Sequence, residues 1–310
     1  MRTAFFDTIT DLAAADPSIM LVVGDVGFKQ VELFAARFPN QYLNVGVAEQ
    51  NMAGIAAGLA LSGRRVFTYS IGNFPTLRCL EQVRSDICYH RASVTLVAVG
   101  GGLAYGPLGI SHHTTEDLAI MRALPNMTVV APGDPVEVEA ATRAVAAAGG
   151  PAYLRLGRVG EPRIHRDAGQ FVLGKATMLR DGRDVTLIST GAMLETTVRV
   201  AERLAAESGL ASRVLSMHTI KPLDAEAVLA AARATKAIVT IEEHSVMGGL
   251  GGAVAEVLAE SAVAVPFKRI GLPSVFVSMA GSHEFLKAHF GLTVPAVFTA
   301  VEDVVQMVRA

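Results

Sequence analysis

Cysteine, charge and long apolar runs are all scarce in this sequence of 310 residues. Its two cysteines, Cys79 and Cys88, allow no disulfide framework beyond a single pair and fit no metal-binding spacing, so we expect two reduced thiols in a cytosolic protein. The formal net charge of −2 gives no electrostatic reason to bind nucleic acid or an anionic membrane. We find no uninterrupted apolar run long enough to cross a bilayer and no signal peptide at the N-terminus.

Apolar residues make up 51% of the chain, and they fall into strand-like and helix-like runs that alternate. Repeated strand–helix–strand units predict parallel sheets with helices on both sides. Asp134 and Pro135 add an N-cap and a first helical residue, which predict a helix running to about residue 147. The predicted strands lie at residues 19–23, 65–69, 93–99, 127–130, 152–156, 185–189, 213–216 and 237–241.

The alternation stops between Gly157 and Gly174, in a stretch typical of a linker, and then resumes. The chain is long enough for two domains that each have a core. We therefore predict an α/β protein of two doubly wound domains, each with a mostly parallel sheet flanked by helices. The predicted boundaries are residues 1–160 for the first domain, 161–180 for the linker and 181–310 for the second domain.

The segment from Asn44 to Gly54 carries Glu49 between a predicted strand and a small-residue helix. A carboxylate at a strand-to-helix junction lies where ligands of open α/β sheets bind. The helix from Met52 to Leu61 is nearly all apolar, and we expect it to be buried. The alternative is an ordinary acidic residue favoured by the helix dipole.

A second acid could take this role, since Glu81 and Glu116 also lie near helix starts. Glu81 is flanked by Arg78 and Arg84, however, and ion pairing there would explain it. Burial favours the neutral form of a carboxylic acid, and an apolar setting of that kind is expected only around Glu49.

Aromatic residues follow the strand that ends near residue 69. Phe74 lies where that strand gives way to a helix, so its ring would project into the same crevice and could stack on a ligand ring. A core aromatic at a helix entrance is the alternative. Tyr69 is the weaker candidate for the same contact.

A glycine-rich loop from Gly100 leads to His112 and His113. Adjacent histidines on an extended chain face opposite ways, so we predict no metal site there; a histidine on a surface loop is the ordinary alternative. Arg158 follows the last strand of the first domain, where a planar guanidinium would suit an oxyanion, although a solvated linker arginine is also possible. Lys29, just after the first strand, could also reach an anionic substrate.

The run VGVAEQNMAGIAAGLALSG, with Glu49 as its fifth residue, closely resembles the pyrimidine-binding segment of thiamine-diphosphate enzymes in the transketolase family. The resemblance implies that residues 1–160 form a pyrimidine-binding domain and residues 181–310 a transketolase C-terminal domain. It implies that Glu49 is catalytic and hydrogen-bonds the cofactor's aminopyrimidine, and that Phe74, with Tyr69 as the weaker candidate, stacks on that ring.

The same resemblance implies substrate contacts in the first domain. His112 matches the catalytic loop histidine that assists proton transfers at the substrate, with His113 beside it, and Arg158 matches a residue that binds substrate phosphate. Two polar contacts common in transketolases are replaced by Gly100 and Leu108. We therefore expect substrates other than the ordinary pentose-pathway sugar phosphates.

A glycine cluster at Gly249, Gly251 and Gly252 opens a helix in the second domain. Taken alone it could be an anion site at a helix N-terminus, but it is not a full dinucleotide-binding fingerprint. The surrounding string resembles the C-terminal domain shared by transketolases, deoxyxylulose-phosphate synthases and 2-oxo acid dehydrogenase beta subunits. In that domain the segment mainly builds the dimer.

The Gly-Asp-Gly signature of the family's diphosphate-binding domain is not matched, since Gly133-Asp134 is followed by Pro135. We therefore predict a split transketolase, in which a separate subunit binds the diphosphate and Mg²⁺ and the thiamine diphosphate bridges two chains. Two copies of each chain would form an α2β2 heterotetramer. The alternatives are a beta subunit of a 2-oxo acid dehydrogenase, a deoxyxylulose-phosphate-synthase-like enzyme, and a non-catalytic assembly subunit.

Overall fold

The computed structural model describes residues 1–158, 160–167, 169 and 171–309, with side chains described up to residue 307. Four positions lie outside the described residues: Val159 in the predicted first domain, Ala168 and Gln170 in the predicted linker, and Ala310 in the predicted second domain.

Twelve strands occur in the described residues and form two sheets. In chain order they are β1 (Ile19–Val23), β2 (Tyr42–Asn44), β3 (Arg65–Ile71), β4 (Val94–Val99), β5 (Thr128–Val130), β6 (Ala152–Leu156), β7 (Thr177–Arg180), β8 (Val185–Ser189), β9 (Ser212–Ser216), β10 (Thr219–Lys221), β11 (Ile238–Ser245) and β12 (Phe267–Leu272).

The α-helices cover the faces of these sheets. In chain order they are α1 (Arg2–Ala15), α2 (Val31–Arg37), α3 (Glu49–Leu61), α4 (Asn73–Thr76), α5 (Leu80–Gln82), α6 (Asp117–Ala123), α7 (Pro135–Ala148), α8 (Met193–Ser208), α9 (Ala225–Ala234), α10 (Leu250–Ala259), α11 (His283–His289) and α12 (Val294–Arg309). Short 3-10 turns at Pro39–Gln41 and Gly106–Leu108, and a π-helical turn at Val83–Cys88, complete the helical segments.

Both sheets are mostly parallel, which confirms the predicted fold class. The first has the spatial order β10-β5-β6-β4-β3-β1-β2, and only β10 runs antiparallel to its neighbour among the described strands. The second has the order β12-β11-β8-β9-β7, with β7 antiparallel to β9. Strand β7 lies inside the range predicted as linker, and β10 brings a strand from the second half of the chain into the first sheet.

The strands are buried on both faces because helices cover both sides, as expected for parallel sheets. In β1, Met20 and Val22 pack on one side with α3, whereas Ile19, Leu21 and Val23 pack on the other side with α1 and α7. Helix α7 begins as predicted, since the Asp134 carboxylate accepts the N–H of Glu137 at 2.8 Å.

Helix α3 is only half buried, so the expectation of full burial was wrong. Met52 and Ala56 face the core, but the opposite side of the helix is open to solvent. Helix α3 is nearly all apolar because its solvent-facing side also carries small residues. The exposed residues are Gln50, Asn51, Gly54, Gly58 and Leu61.

One helical stretch, His283–Met307, is apolar and long enough to span a membrane by composition alone. It consists of two helices, α11 and α12, and not of one continuous apolar run. Leu286, Val297 and Val301 of these helices belong to the core beneath the second sheet. The stretch therefore serves as core packing in a globular domain.

His218 is a fully buried histidine between the two sheets. Its Nδ1 lies 2.9 Å from the Thr219 hydroxyl, and its ring stacks on Phe171 with 4.0 Å between the ring centroids. Burial, together with the charge of His165, lowers the pKa of His218 from 6.5 to about 4.

This depressed pKa predicts acid destabilisation. The unfolded chain takes up a proton near pH 6.5 that the folded chain resists, so the stability linked to His218 is present above pH 6.5 and is lost as the pH falls toward 4. We expect about 3 kcal/mol of unfolding free energy to be lost in that window. Urea unfolding from pH 7 to pH 4 should show a shallower decline for His218→Gln, and an unchanged decline would contradict this assignment.

Candidate active site

The first sheet has a topological switch point between β1 and β3. The chain leaves β1 for β2 on one side and returns to β3 on the other side. In open α/β sheets, ligands bind in the crevice at the carboxyl ends of the strands at such a point. The site therefore has to be built from the loops that follow β1 and β3.

Glu49, the first residue of α3, lies at this point. A Cβ placed on Gly24, just after β1, would be 3.6 Å from Glu49 Cγ and 3.7 Å from the hydroxyl of Ser70 in β3. The Glu49 side chain is 1% exposed, and the acid predicted from the sequence is thus buried where the strand order reverses.

Arg78 is the hydrogen-bond partner of this acid. Its Nη1 donates to Glu49 Oε2 at 2.8 Å, and its guanidinium carbon lies 4.6 Å from the centroid of the Phe74 ring. The Arg78 side chain is 47% exposed, so it covers both groups from the solvent side. The expected ion pairing of Glu81 with Arg78 or Arg84 was wrong, because the Glu81 carboxylate accepts a hydrogen bond from Ser85 instead.

Phe74 and His112 lie together at the mouth of the crevice. Their ring centroids are 5.3 Å apart in an edge-to-face arrangement. Asn73 holds the two segments in place, since its Nδ2 donates to the carbonyl of Ser111 at 3.4 Å and to that of His113. The structure thus brings Glu49, Phe74 and His112 into one group, which we call the Glu49 site.

His112 is half-buried and carries a free ring edge. Its Nδ1 lies 2.9 Å from the Ser111 hydroxyl, so Nε2 is left for a ligand. Burial, and then the neighbouring His113, lower the pKa of His112 below its ordinary value of 6.5. The imidazole is therefore neutral at physiological pH and can accept a proton.

Two predicted site residues face the protein interior. His113 is 1% exposed, and its Nε2 lies 3.3 Å from the Gly106 carbonyl. Tyr69 is stacked against Phe5 at 5.8 Å and packs on Phe6 at 5.0 Å between ring centroids. Both side chains therefore pack into the protein interior and do not line the crevice.

Arg158 and Lys29 lie at the edges of the region. Arg158 donates to the Ala104 carbonyl at 3.3 Å and lines a cavity of about 380 Å³ between the first-domain loops and helices α8 and α11. Lys29 is exposed in the turn after β1, with a left-handed φ of 74°. No hydrogen bond within the described residues joins either side chain to the Glu49 site.

Of the two positions that depart from the family pattern, Gly100 and Leu108, the first has a physical reason for being glycine. Gly100 has a φ of 84°, and a Cβ at that position would overlap the Tyr105 ring. That ring, 6.4 Å from His112 between centroids, fills the space a larger residue would need. Leu108 is 54% exposed near the same loop and offers only apolar surface.

The glycine cluster of the second domain does not leave an open anion site. The buried Glu242 carboxylate accepts the N–H groups of Leu250 and Gly251, both at 2.7 Å. The Glu242 side chain therefore already occupies the N–H groups at the N-terminus of α10. Glu242, eight residues before the first residue of α10, was the sequence feature that could have indicated this contact.

Arg78 and Asn73 are the site residues that sequence reasoning missed. Arg78 follows Phe74 by four residues, the spacing at which side chains of a helix share a face. That spacing could have indicated the contact with Phe74. The contact with Glu49 could not be inferred, because it joins segments 29 residues apart.

The fold and the Glu49 site define a two-domain α/β protein with a buried carboxylate and an aromatic ring in its ligand crevice. Residues 1–160 match the family model described as "Transketolase, pyrimidine binding domain", and residues 174–297 match "Transketolase, C-terminal domain". The chain belongs to the transketolase family, which confirms the resemblance found in the sequence.

Relatives place the chain more closely within the family. It is 41% identical over 94% of its length to one of the subunits of the apulose-4-phosphate transketolase of Phocaeicola vulgatus, of which it covers 93%. It is 39% identical over 99% of its length to the 6-deoxy-6-sulfo-D-fructose transketolase subunit SqwH of a Clostridium species, of which it covers 94%. A solved structure titled "Split gene transketolase, inactive beta4 tetramer" shares 38% identity with a TM-score of 0.89, over 98% of this chain and 97% of that one. The protein is thus a subunit of a split transketolase. Transketolases are transferases of ketol groups.

The role of proton acceptor expected for His112 from the sequence, together with its lowered pKa, predicts an acid-side limit on activity. Only the neutral imidazole accepts a proton. Turnover should therefore stay constant as the pH falls to 6.5, and it should decline only at lower pH, where His112 becomes protonated. His112→Gln should lower turnover roughly a hundredfold or more and remove this limb of the pH–rate profile. His90→Gln, at an exposed histidine, is the matched control, and an unchanged profile in His112→Gln would contradict the assignment.

Proposed function

We propose that this chain is the pyrimidine-binding subunit of a thiamine-diphosphate-dependent transketolase, which transfers a two-carbon ketol unit from a ketose to an aldehyde acceptor. The observation that carries the proposal is the buried Glu49 carboxylate at the switch point, with Phe74 and His112 beside it. This arrangement fits an aminopyrimidine, which needs an aromatic face and a carboxyl partner for its ring nitrogen.

Within this proposal each residue of the Glu49 site has a role. Glu49 would hold the pyrimidine through a hydrogen bond at N1′, and Phe74 would hold it by stacking on the ring. When bound, thiamine diphosphate would supply a nucleophilic carbon. His112 accepts and returns a proton at the substrate hydroxyl through its free Nε2.

A separate subunit completes the site in this proposal by binding the diphosphate and Mg²⁺. In the described part of the chain, no three histidine, cysteine, aspartate or glutamate side chains are close enough to hold a metal ion.

Exposed apolar side chains at this edge of the sheet and the open face of α3 offer surface for other chains. The exposed apolar side chains at the edge are Phe28, Val47, Leu77, Leu108 and Ile110. Two copies of each chain would form an α2β2 heterotetramer, and we propose a cytoplasmic location.

The substrates in this proposal are anionic sugars. Two relatives are named for apulose 4-phosphate and for 6-deoxy-6-sulfo-D-fructose, both of which carry a negative group. Arg158 is the proposed contact for such a group, with Lys29 as a second candidate. The Tyr105 ring over Gly100 and the apolar Leu108 make the substrate region differ from the pattern for pentose-pathway sugar phosphates.

A second candidate function comes from a second set of relatives. The chain is 34% identical to the 1-deoxy-D-xylulose-5-phosphate synthase of Microcystis aeruginosa, although it covers only 46% of that protein. Transfer from pyruvate, with none from ketoses, would favour this enzyme class, and delivery to a lipoyl domain would favour a 2-oxo acid dehydrogenase. The absence of any turnover in a cofactor-loaded complex would favour an assembly subunit.

Glu49→Ala tests the proposal in the complex with the diphosphate-binding subunit. We expect ketol transfer, measured with a panel of phosphorylated and unphosphorylated ketoses, to fall by roughly a hundred- to ten-thousandfold. The reason is the loss of the carboxyl group at the pyrimidine, and the variant should still fold, since it loses only the side-chain contact with Arg78. Glu81→Ala is the matched control on a neighbouring helix, and wild-type turnover in Glu49→Ala would overturn the central assignment.

A further inference from the structure

Arg78 already makes both contacts that the proposed function assigns to the pyrimidine. Its guanidinium lies over the Phe74 ring at 4.6 Å and donates to the Glu49 carboxylate at 2.8 Å. A guanidinium is planar, delocalised and rich in N–H donors, so it shares with an aminopyrimidine the ability to stack and to donate at the same time. One side chain therefore occupies the ring's place.

We infer that Arg78 is a positioning residue that fills the pyrimidine site of the free subunit and must leave it when the cofactor ring binds. This inference rests on the proposed function. A ring that stacks on the face of Phe74 covered by the guanidinium, and that takes the contact with Glu49 Oε2, has to displace Arg78. Cofactor binding is then an exchange of one set of contacts for another.

Because the Arg78 side chain is partly exposed, it can leave the Glu49 site by rotating into solvent. Its side chain is 47% exposed, whereas the Glu49 carboxylate is 1% exposed, so the arginine can swing into water while the acid stays fixed. A guanidinium that moves to solvent keeps its charge hydrated. The buried carboxyl group left behind then pairs with the ring nitrogen N1′, which is an acceptor, so Glu49 donates that hydrogen bond as a carboxylic acid.

The backbone around Arg78 is wound irregularly. Helix α4 has four residues and α5 has three, and Arg78 lies between them with its N–H directed at the Asn73 carbonyl, five residues back, at 3.5 Å. A π-helical turn at Val83–Cys88 follows. Mixed short turns of this kind hold fewer regular backbone hydrogen bonds than a continuous α-helix and are frequent at functional sites.

Calorimetric titration of thiamine diphosphate with Mg²⁺ into the two-subunit complex tests the inference. Arg78→Ala removes the competing group and leaves the buried Glu49 without its donor, so the cofactor should bind roughly three- to tenfold more tightly than to wild type. Arg78→Lys keeps the charge but not the planar stack, and its affinity should fall between the two. Arg84→Ala, at an exposed arginine of the same segment, should leave the affinity unchanged.

A second measurement checks the contact in the free chain without cofactor. In urea unfolding, the destabilisation caused by Glu49→Ala and by Arg78→Ala should not add in the double variant, because the pair has already been broken in each single one. Additive effects would overturn the inference, since Arg78 would not then be paired with Glu49 in solution.

The failures of the two proposals are distinguishable. Cofactor binding to the wild-type complex, with equal or weaker binding to Arg78→Ala, would overturn the role of Arg78 and leave the proposed function standing. Weaker binding in particular would mean that Arg78 holds the cofactor. No binding to the wild-type complex would overturn the proposed function, and this inference with it.

Discussion

The buried ion pair between Asp117 and Arg155 is the contact on which the rest of the site depends. Arg155 donates to both carboxylate oxygens, at 2.7 and 3.1 Å, and the Tyr153 hydroxyl adds a third hydrogen bond at 2.6 Å. The same guanidinium donates to the carbonyls of Thr114 and Glu243. Removing one partner of such a pair costs about 3–5 kcal/mol, because a charge is left buried without compensation. One arginine thus joins β6, α6, the histidine loop and β11.

The glycine-rich loop is fixed at its other end by Glu243. This carboxylate accepts the N–H of Leu103 at 2.6 Å and a hydrogen bond from His283 at 2.8 Å. Burial raises the pKa of Glu243, but the hydrogen bond and charge of His283, the N–H of Leu103 and the charge of Lys287 together outweigh it and hold the pKa below its ordinary value. Gly102 and Thr114 close the base of the loop through two backbone hydrogen bonds of 2.8 Å. The second domain therefore acts on the site by anchoring the loop that carries His112.

Much of the fold could be predicted from the sequence because local periodicity marks buried parallel strands. The predicted bounds of β1 and β6 agree with the structure, as does the Asp134 cap of α7. Strands β2, β10 and β12 were missed. Strands β2 and β10 have only three residues each, which carry too little pattern, and β10 pairs with a sheet formed by the other half of the chain. Strand β12 lies at the edge of its sheet and is only partly buried. Strand β7 was taken as linker for a similar reason, because its burial is only partial.

The site shows where sequence reasoning ends. The strand-to-helix junction located Glu49, and the order of elements brought Phe74 and His112 to the same edge of the sheet. The orientation of Tyr69 could not be deduced, because β3 is buried on both faces from Val66 to Ser70. The pairing of Arg78 with Glu49 needs tertiary contact between α3 and the segment after α4, which no local pattern encodes. Short-range features were predictable, and contacts across elements were not.

The central claim is that this chain holds the pyrimidine half of a cofactor site that another subunit completes. Calorimetry with thiamine diphosphate and Mg²⁺ tests it most directly, first on this chain alone and then on its complex with a co-purified partner. We predict tight binding in the complex and no tight binding to the chain alone. Tight, Mg²⁺-dependent binding to the lone chain would contradict a divided site, and no binding in either case would contradict a role in thiamine chemistry.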